Sequence, residues 1–290
     1  MNKPLNSCDL HVHSHFSDGT FSPKQIVCMA KQLNIAVALT DHNTVLGLEQ
    51  FDLEAKKQGV EGVCGVELST VYKDKEFHLL GLFIKPEHYD KVELLVQEFK
   101  RLKLISNKEL IENLNRAGYK IDYNQVISRN ATGAVNRAHI GAELVEKGYF
   151  SSISEAFNGV LDESKGFYIP PKRLNLLDAI KFLNEINALP ILAHPLKDAS
   201  EQFLNEMLPI AKKAGLVGIE VYHSSYSASQ SQTALNLAKA YHFKISGGSD
   251  FHGENKPDVL LGRGKNDNAV VDVSVYYNLL KLSLAQRAIN

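Results

Sequence analysis

Short apolar runs alternate along this chain with amphipathic stretches. Cys8–His13, Ala36–Thr40, Val63–Glu67, Phe77–Ile84, Pro190–His194, Val217–Tyr222 and Lys244–Gly247 are each roughly four to eight residues long, the length of a buried strand. Between them lie segments of helical period. Ser22 is placed to cap a helix with Pro23 at its first position, running to about Leu33. Val45–Gln58, Leu176–Asn187, Glu201–Ala214 and Ser227–Tyr241 follow the same rule. Buried strands alternating with helices predict a parallel α/β protein, and about seven such strands predict a barrel of (β/α) units. The stretch from Glu87 to Gly166 breaks the rhythm. It reads as mostly helical, with a long amphipathic helix over Val92–Leu114 and shorter ones near Arg137–Lys147 and Ile153–Asn158, before Pro170-Pro171 returns the chain to the barrel. The expected organisation is therefore a barrel from residues 1–86 and 167–290, with a helical insertion over 87–166.

Composition narrows the class. The chain has 290 residues, 44% of them hydrophobic and 22% charged, which supports a substantial core and excludes a disordered chain. A net charge of −1 excludes a globally basic nucleic-acid binder. It leaves room for a local basic stripe such as Lys100, Arg101, Lys103 and Lys108. Cys8, Cys28 and Cys64 are odd in number and lack CxxC spacing, so they frame neither disulfides nor a zinc ribbon. No apolar leader opens the chain, and no run approaches the roughly 18–20 apolar residues of a membrane span. The expectation is a cytoplasmic protein with no membrane association and no stable protein partner implied.

Eleven histidines are the one unusual feature of this composition, and they cluster at predicted strand ends. In Asp9-Leu10-His11-Val12-His13, alternation along a strand points His11 and His13 to one face. Asp18 follows in a Ser17-Asp18-Gly19 loop. Other runs end in Thr40-Asp41-His42, Gly65-Val66-Glu67, Ala193-His194-Pro195 and Ser249-Asp250-Phe251-His252, and His78 sits inside the apolar run of the fourth strand. Strand C-termini converge on one face of a barrel, so these residues are expected to meet. Six imidazoles and three carboxylates, without thiolate, suit Mn, Fe or Zn. They are too many for one ion and about right for two or three that share carboxylates. Three divalent ions against three carboxylates leave a formal +3, which favours a phosphate substrate over a neutral one.

The series DLHVHSHFSDG, TDHN, GVELS, FHLLG, AHP and GSDFH, in that order over nearly the whole chain, resembles the motifs of the PHP (polymerase and histidinol phosphatase) family. The resemblance implies a distorted (β/α)7 TIM-like barrel with a di- or trinuclear metal centre. By motif, His11, His13, Glu67 and Asp250 would hold one ion. Glu67 would bridge to a second, held also by His78 and His194. Asp18, His42 and His252 would hold a third, with Asp41 in support. Asn136-Arg137-Ala138-His139 and Lys165-Gly166-Phe167-Tyr168 resemble the branch of small phosphoesterases that includes nucleoside 3′,5′-bisphosphate phosphatases and 5′-3′ exoribonucleases. There the insertion caps the site, and Arg137 and His139 match phosphate-contacting positions. Lys165, Tyr168 and His223 are further substrate-contact candidates. Asp18, Glu67, Asp250, Arg137 and His139 form the expected catalytic set. The implied activity is hydrolysis of nucleotide phosphomonoesters (AMP or 3′,5′-bisphosphates), or of the 5′ ends of short RNA, by a metal-bridging hydroxide. Histidinol-phosphate hydrolysis, a longer-chain exonuclease and a non-catalytic metal-binding module are the alternatives.

Overall fold

Ile35–Leu39 reads Ile-Ala-Val-Ala-Leu, and all five side chains are buried, as a strand covered on both faces requires. In the computed structural model, which describes residues 5–128 and 135–289, this segment is β2 of an eight-stranded sheet. The others are β1 (Ser7–Asp9), β3 (Gly62–Tyr72), β4 (Lys75–Leu82), β5 (Leu189–Leu192), β6 (Gly218–His223), β7 (Lys244–Gly248) and β8 (Val271–Asp272). Their order is β7-β6-β5-β4-β3-β2-β1-β8. The ring nearly closes where the chain beyond β1 reaches β7: the Leu10 N–H donates to the Gly247 carbonyl at 3.1 Å, and Val12 bridges to Phe251. A Cβ on Gly248 would stand 2.5 Å from the His11 nitrogen, so only glycine allows this approach. The result is a distorted α/β barrel of the expected kind.

The sheet is mixed, however, and this corrects the all-parallel expectation. β1–β2, β2–β3, β5–β6 and β6–β7 pair parallel, whereas β4 runs antiparallel to both neighbours and β8 antiparallel to β1. β3 also extends five residues past Glu67 and turns directly into β4. Lys73 and Asp74 make that turn with φ of 46° and 63°. A connection this short can only return a strand antiparallel.

Helices flank these strands. Pro23–Leu33 begins with a capping box, in which the Ser22 side chain accepts from the Gln25 N–H and the Gln25 side chain accepts from the Ser22 N–H. The barrel core includes Cys8, Leu10, Ala36, Ala38, Leu80, Leu82, Leu189 and Ile191. Tyr276 and Leu279 of the helix Val273–Ile289 pack into it, an element the hydrophobic pattern did not mark.

The chain divides into two compact units, Met1–Val96 with Leu174–Asn290, and Gln97–Arg173. The helix Tyr89–Arg116 starts in the first and continues through the second. The second unit also holds Tyr123–Ser128, Arg137–Glu146 and Ile153–Ala156. It has its own core of Leu110, Leu114, Ile140, Leu144, Val160 and Leu161. Among the described residues no helix is long and apolar enough to cross a membrane.

Candidate metal centre

The barrel delivers the candidate ligands to one place by two routes. His11 and His13 follow β1, His42 follows β2, His194 follows β5, and Asp250 and His252 follow β7. Glu67 lies in the middle of β3 rather than at its end, and His78 lies near the start of β4, paired with Ser69. Because β4 is reversed, its early residues stand beside the late residues of its neighbours.

Glu67 is fully buried at the focus of the cluster. Its Oε1 lies 2.8 Å from His78 Nδ1 and 3.1 Å from His194 Nε2. Its Oε2 lies 3.1 Å from His11 Nε2, 3.2 Å from His13 Nε2 and 2.9 Å from His42 Nδ1. Asp250 Oδ1 faces the same two rings, 3.2 Å from His13 Nε2 and 3.6 Å from His11 Nε2. Asp18, half exposed in its loop, lies 3.2 Å from His252 Nε2 and 3.8 Å from both His13 and His42. All nine expected ligand residues are thus brought together. Eight of them, all but His194, form overlapping sets whose ligand atoms lie within 4.8 Å of one another: His11, His13, Glu67 and Asp250; His42, Glu67 and His78; and His13, Asp18, His42 and His252; His11 also forms such a set with Glu220 and His223.

These sets fit divalent cations. Among the described residues, His11 Nε2, both ring nitrogens of His13, Glu67 Oε2 and His223 Nε2 are buried with no hydrogen-bond partner. Buried polar atoms are almost always partnered, so lone pairs that converge without hydrogen-bond alignment call for an ion. Imidazole and carboxylate donors suit two or three ions of the Mn, Fe or Zn type.

Electrostatics follow the packing. Burial opposes ionisation of Glu67, but the His11 and His42 rings outweigh it and hold the carboxyl well below its ordinary range. Asp250 is likewise held low against its burial, by His13 and His223. Burial lowers the pKa of His11, and Glu220 with Glu67 more than reverses this. For His13 and His78 the same contest ends at about 9 and about 10. For His42 and His223 burial prevails and lowers the pKa. Two residues of the centre are backbone-strained: His194 at φ 26° and Asp250 at φ 55°, where a side chain is rarely tolerated.

Acids brace the cluster from behind, three of them buried and the fourth, Asp198, partly exposed. Asp41 accepts from the Ser14 N–H (2.7 Å), Ser14 Oγ (2.7 Å) and Ser17 Oγ (2.6 Å), and so fixes the loop that carries Asp18. Asp9 accepts from the Ser249 N–H at 2.8 Å and the Gly262 N–H at 2.7 Å, next to Asp250. Asp198 lies 3.1 Å from His194 Nδ1, and Glu220 lies 3.0 Å from His11 Nδ1. Lys256 Nζ stands 2.7 Å from Asp250 Oδ2. Sequence reasoning gave Asp9, Asp198, Glu220 and Lys256 no role. Only Glu220 carried a signal: an acid inside the apolar run Gly218-Ile219-Glu220-Val221.

His223 joins the cluster, fully buried, with Nε2 3.4 Å from Asp250 Oδ2 and its ring 4.9 Å from that of His194. Arg137, His139, Lys165 and Tyr168 belong to the second unit. The Arg137 guanidinium lies 4.2 Å from the Tyr168 ring centre and donates to the Leu161 carbonyl at 3.1 Å. His139 closes a capping box with Asn136, its Nδ1 accepting from the Asn136 N–H at 3.2 Å. Lys165 is exposed in a short turn.

The PHP domain model matches residues 9–169. A 5′-3′ exoribonuclease of Haemophilus influenzae is 31% identical over 246 residues, which cover 84% of this chain and 89% of that protein. A 3′,5′-nucleoside bisphosphate phosphatase of Chromobacterium violaceum is 27% identical over 260 residues, 88% of this chain and 91% of its own. A solved structure from Bifidobacterium adolescentis shares the fold with a TM-score of 0.68 at 25% identity, covering 97% of both chains.

Proposed function

The chain belongs to the PHP domain family, and from that premise we propose that it hydrolyses phosphomonoesters of nucleotides, AMP or 3′,5′-bisphosphates, or trims the 5′ ends of short RNA. It is a metal-dependent hydrolase of the phosphoesterase type. The observation that carries the reading is the division of Glu67: one oxygen faces His78 and His194, the other faces His11, His13 and His42. A carboxylate placed this way suits a bridge between two cations. His11, His13, Glu67 and Asp250 would hold the first ion, His78 and His194 the second with Glu67, and Asp18, His42 and His252 a third. Such ions supply charge for phosphate oxygens and make coordinated water acidic.

The protein's own groups complete the reaction. In our reading residues 87–166 cap the centre. Arg137 grips the phosphate with its planar fork, which matches two phosphate oxygens at once, and offsets charge as the transition state forms. Its stacking on Tyr168 holds that fork in one plane. His139 is a second phosphate contact, and the leaving alkoxide takes its proton from bound water or from His139 as an imidazolium, a form that must give up the Nδ1 cap bond. Lys165, Tyr168 and His223 contact the rest of the substrate. The nucleotide preference is supported by the two relatives, whose substrates are RNA and nucleoside bisphosphates.

A phosphate-release screen with added manganese tests the reading. It should cover AMP, 3′,5′-bisphosphates, short 5′-phosphorylated RNAs and histidinol phosphate. Release from the nucleotides, abolished by chelator and restored by metal, is the expected result. Preference for histidinol phosphate, or release from none, would sink it.

A further inference from the structure

Two candidate ligands on different strands share one buried partner. The Glu220 side chain is fully buried on β6. Its Oε1 lies 3.0 Å from His11 Nδ1, and its Oε2 accepts the His194 backbone N–H at 2.8 Å. We infer that Glu220 is a positioning residue, which sets the ring face that His11 presents to the metal centre and holds the strained His194 backbone in place. The inference rests on the metal-centre reading above and concerns residues outside the expected ligand set.

The argument is one of hydrogen-bond directions. A carboxylate can only accept, so the His11 proton resides on Nδ1. That leaves Nε2, buried without an aligned hydrogen-bond partner and facing Glu67 Oε2 and Asp250 Oδ1, as the atom His11 would present to a cation, beside the same two oxygens that face His13. A carboxylate behind a ligating imidazole fixes its tautomer and orientation and raises its basicity. The second oxygen acts on backbone. His194 sits at φ 26°, a conformation that persists only where surrounding contacts enforce it. A bond to its own N–H supplies one such contact, while Asp198 orients the ring. His194 and His11 face opposite oxygens of Glu67, so one side chain registers both halves of the cluster.

Glu220→Gln keeps the shape and removes the double acceptance. Its single carbonyl oxygen can serve His11 or His194, while its amide can only donate. Donation to His11 Nδ1 would force the ring proton onto Nε2, the atom that faces the centre.

The test uses full-length wild type and Glu220→Gln, stripped with chelator and titrated with zinc, with occupancy measured by mass spectrometry. We expect the variant to need about 10–100-fold more free zinc for half occupancy. The melting temperature of the stripped protein should shift far less than that of the zinc-loaded one. Equal zinc affinity in a folded variant overturns the inference and leaves the metal centre standing. Wild type that takes up no zinc overturns the centre, and the inference with it. Nitrogen NMR of the imidazoles in zinc-loaded wild type decides the matter even where the variant does not fold. An Nδ1 proton of His11 shifted far downfield, as a bond to the Glu220 carboxylate shifts it, supports the inference, and an Nδ1 proton without that shift overturns it.

Discussion

His13 and His78 hold their protons to about pH 9 and about pH 10 because carboxylates face them, and this coupling makes pH a test of the centre. A histidine with a raised folded pKa binds its proton more tightly folded than unfolded. Its stabilising contribution is complete below the unfolded value of 6.5 and is lost as pH climbs through about 9 for His13 and about 10 for His78. Glu67 and Asp250 work in the opposite sense. Their folded pKa values are depressed, so their contribution is present above the ordinary carboxylate range and is lost as pH falls below it. Cations compete with the same imidazole protons. Chelator-treated protein should therefore melt at progressively lower temperature from pH 6.5 to 10, while the increment gained from added manganese grows over that range. Thermal melts with and without metal measure both, and an increment independent of pH would contradict proton–metal competition. At this scale the nine candidate ligand residues, which the structure gathers at one site, were legible because each stands in a short motif of its own. Asp9 was not, because the groups that donate to it, at Ser249 and Gly262, lie some 240 residues along the chain. Asp198 and Lys256 were not, because a lone charge a few residues after a ligand reads like any charged residue at the surface.

The elements show where periodicity stops being informative. Strands β2, β6 and β7 lie within a residue or two of the apolar runs that predicted them. The β3–β4 hairpin was hidden. Leu68–Tyr72 continues the strand with good β formers, but the turn reads Lys73-Asp74 rather than the Asn-Gly that announces a two-residue hairpin. Both residues take positive φ, which lysine tolerates poorly and aspartate less readily than glycine. That disguise made β4 look like one more parallel strand, although its reversal brings His78 to Glu67. A consequence can be measured. Replacing the pair (K73N with D74G) relieves backbone strain in the folded state and should raise stability by about 0.5–2 kcal/mol. Urea unfolding should show a higher midpoint at unchanged slope, and an unchanged midpoint would mean the turn carries no strain. The weak amphipathicity of Val273–Ile289 explains the other miss: a helix that meets the core at Tyr276 and Leu279 needs no continuous apolar stripe.

On the scale of the whole molecule, every side chain of the candidate centre comes from the first unit, and the second unit carries a separate hydrophobic core. Two cores imply that the units can be separated without emptying either, and the proposed roles divide along the same line. Metal binding belongs to the barrel, whereas Arg137, His139, Lys165 and Tyr168, the proposed grip on the nucleotide, belong to the helices. Excising Gln97–Arg173 and joining the ends by a short flexible linker should leave a folded protein that still binds two or three equivalents of metal. It should also retain slow hydrolysis of a small generic ester such as p-nitrophenyl phosphate. Charge-assisted hydrogen bonds to a phosphate contribute about 1.5–3 kcal/mol each. Losing the Arg137 contact alone should therefore lower kcat/KM for AMP by roughly 10–150-fold. The comparison of the two substrates is the measurement that matters, since damage to the metal centre would depress both alike. A selective loss with AMP assigns recognition to the helical unit. An excised protein that hydrolyses AMP as well as the intact chain would place substrate recognition within the barrel, with His223 and Lys256 as the groups beside Asp250 left to provide it.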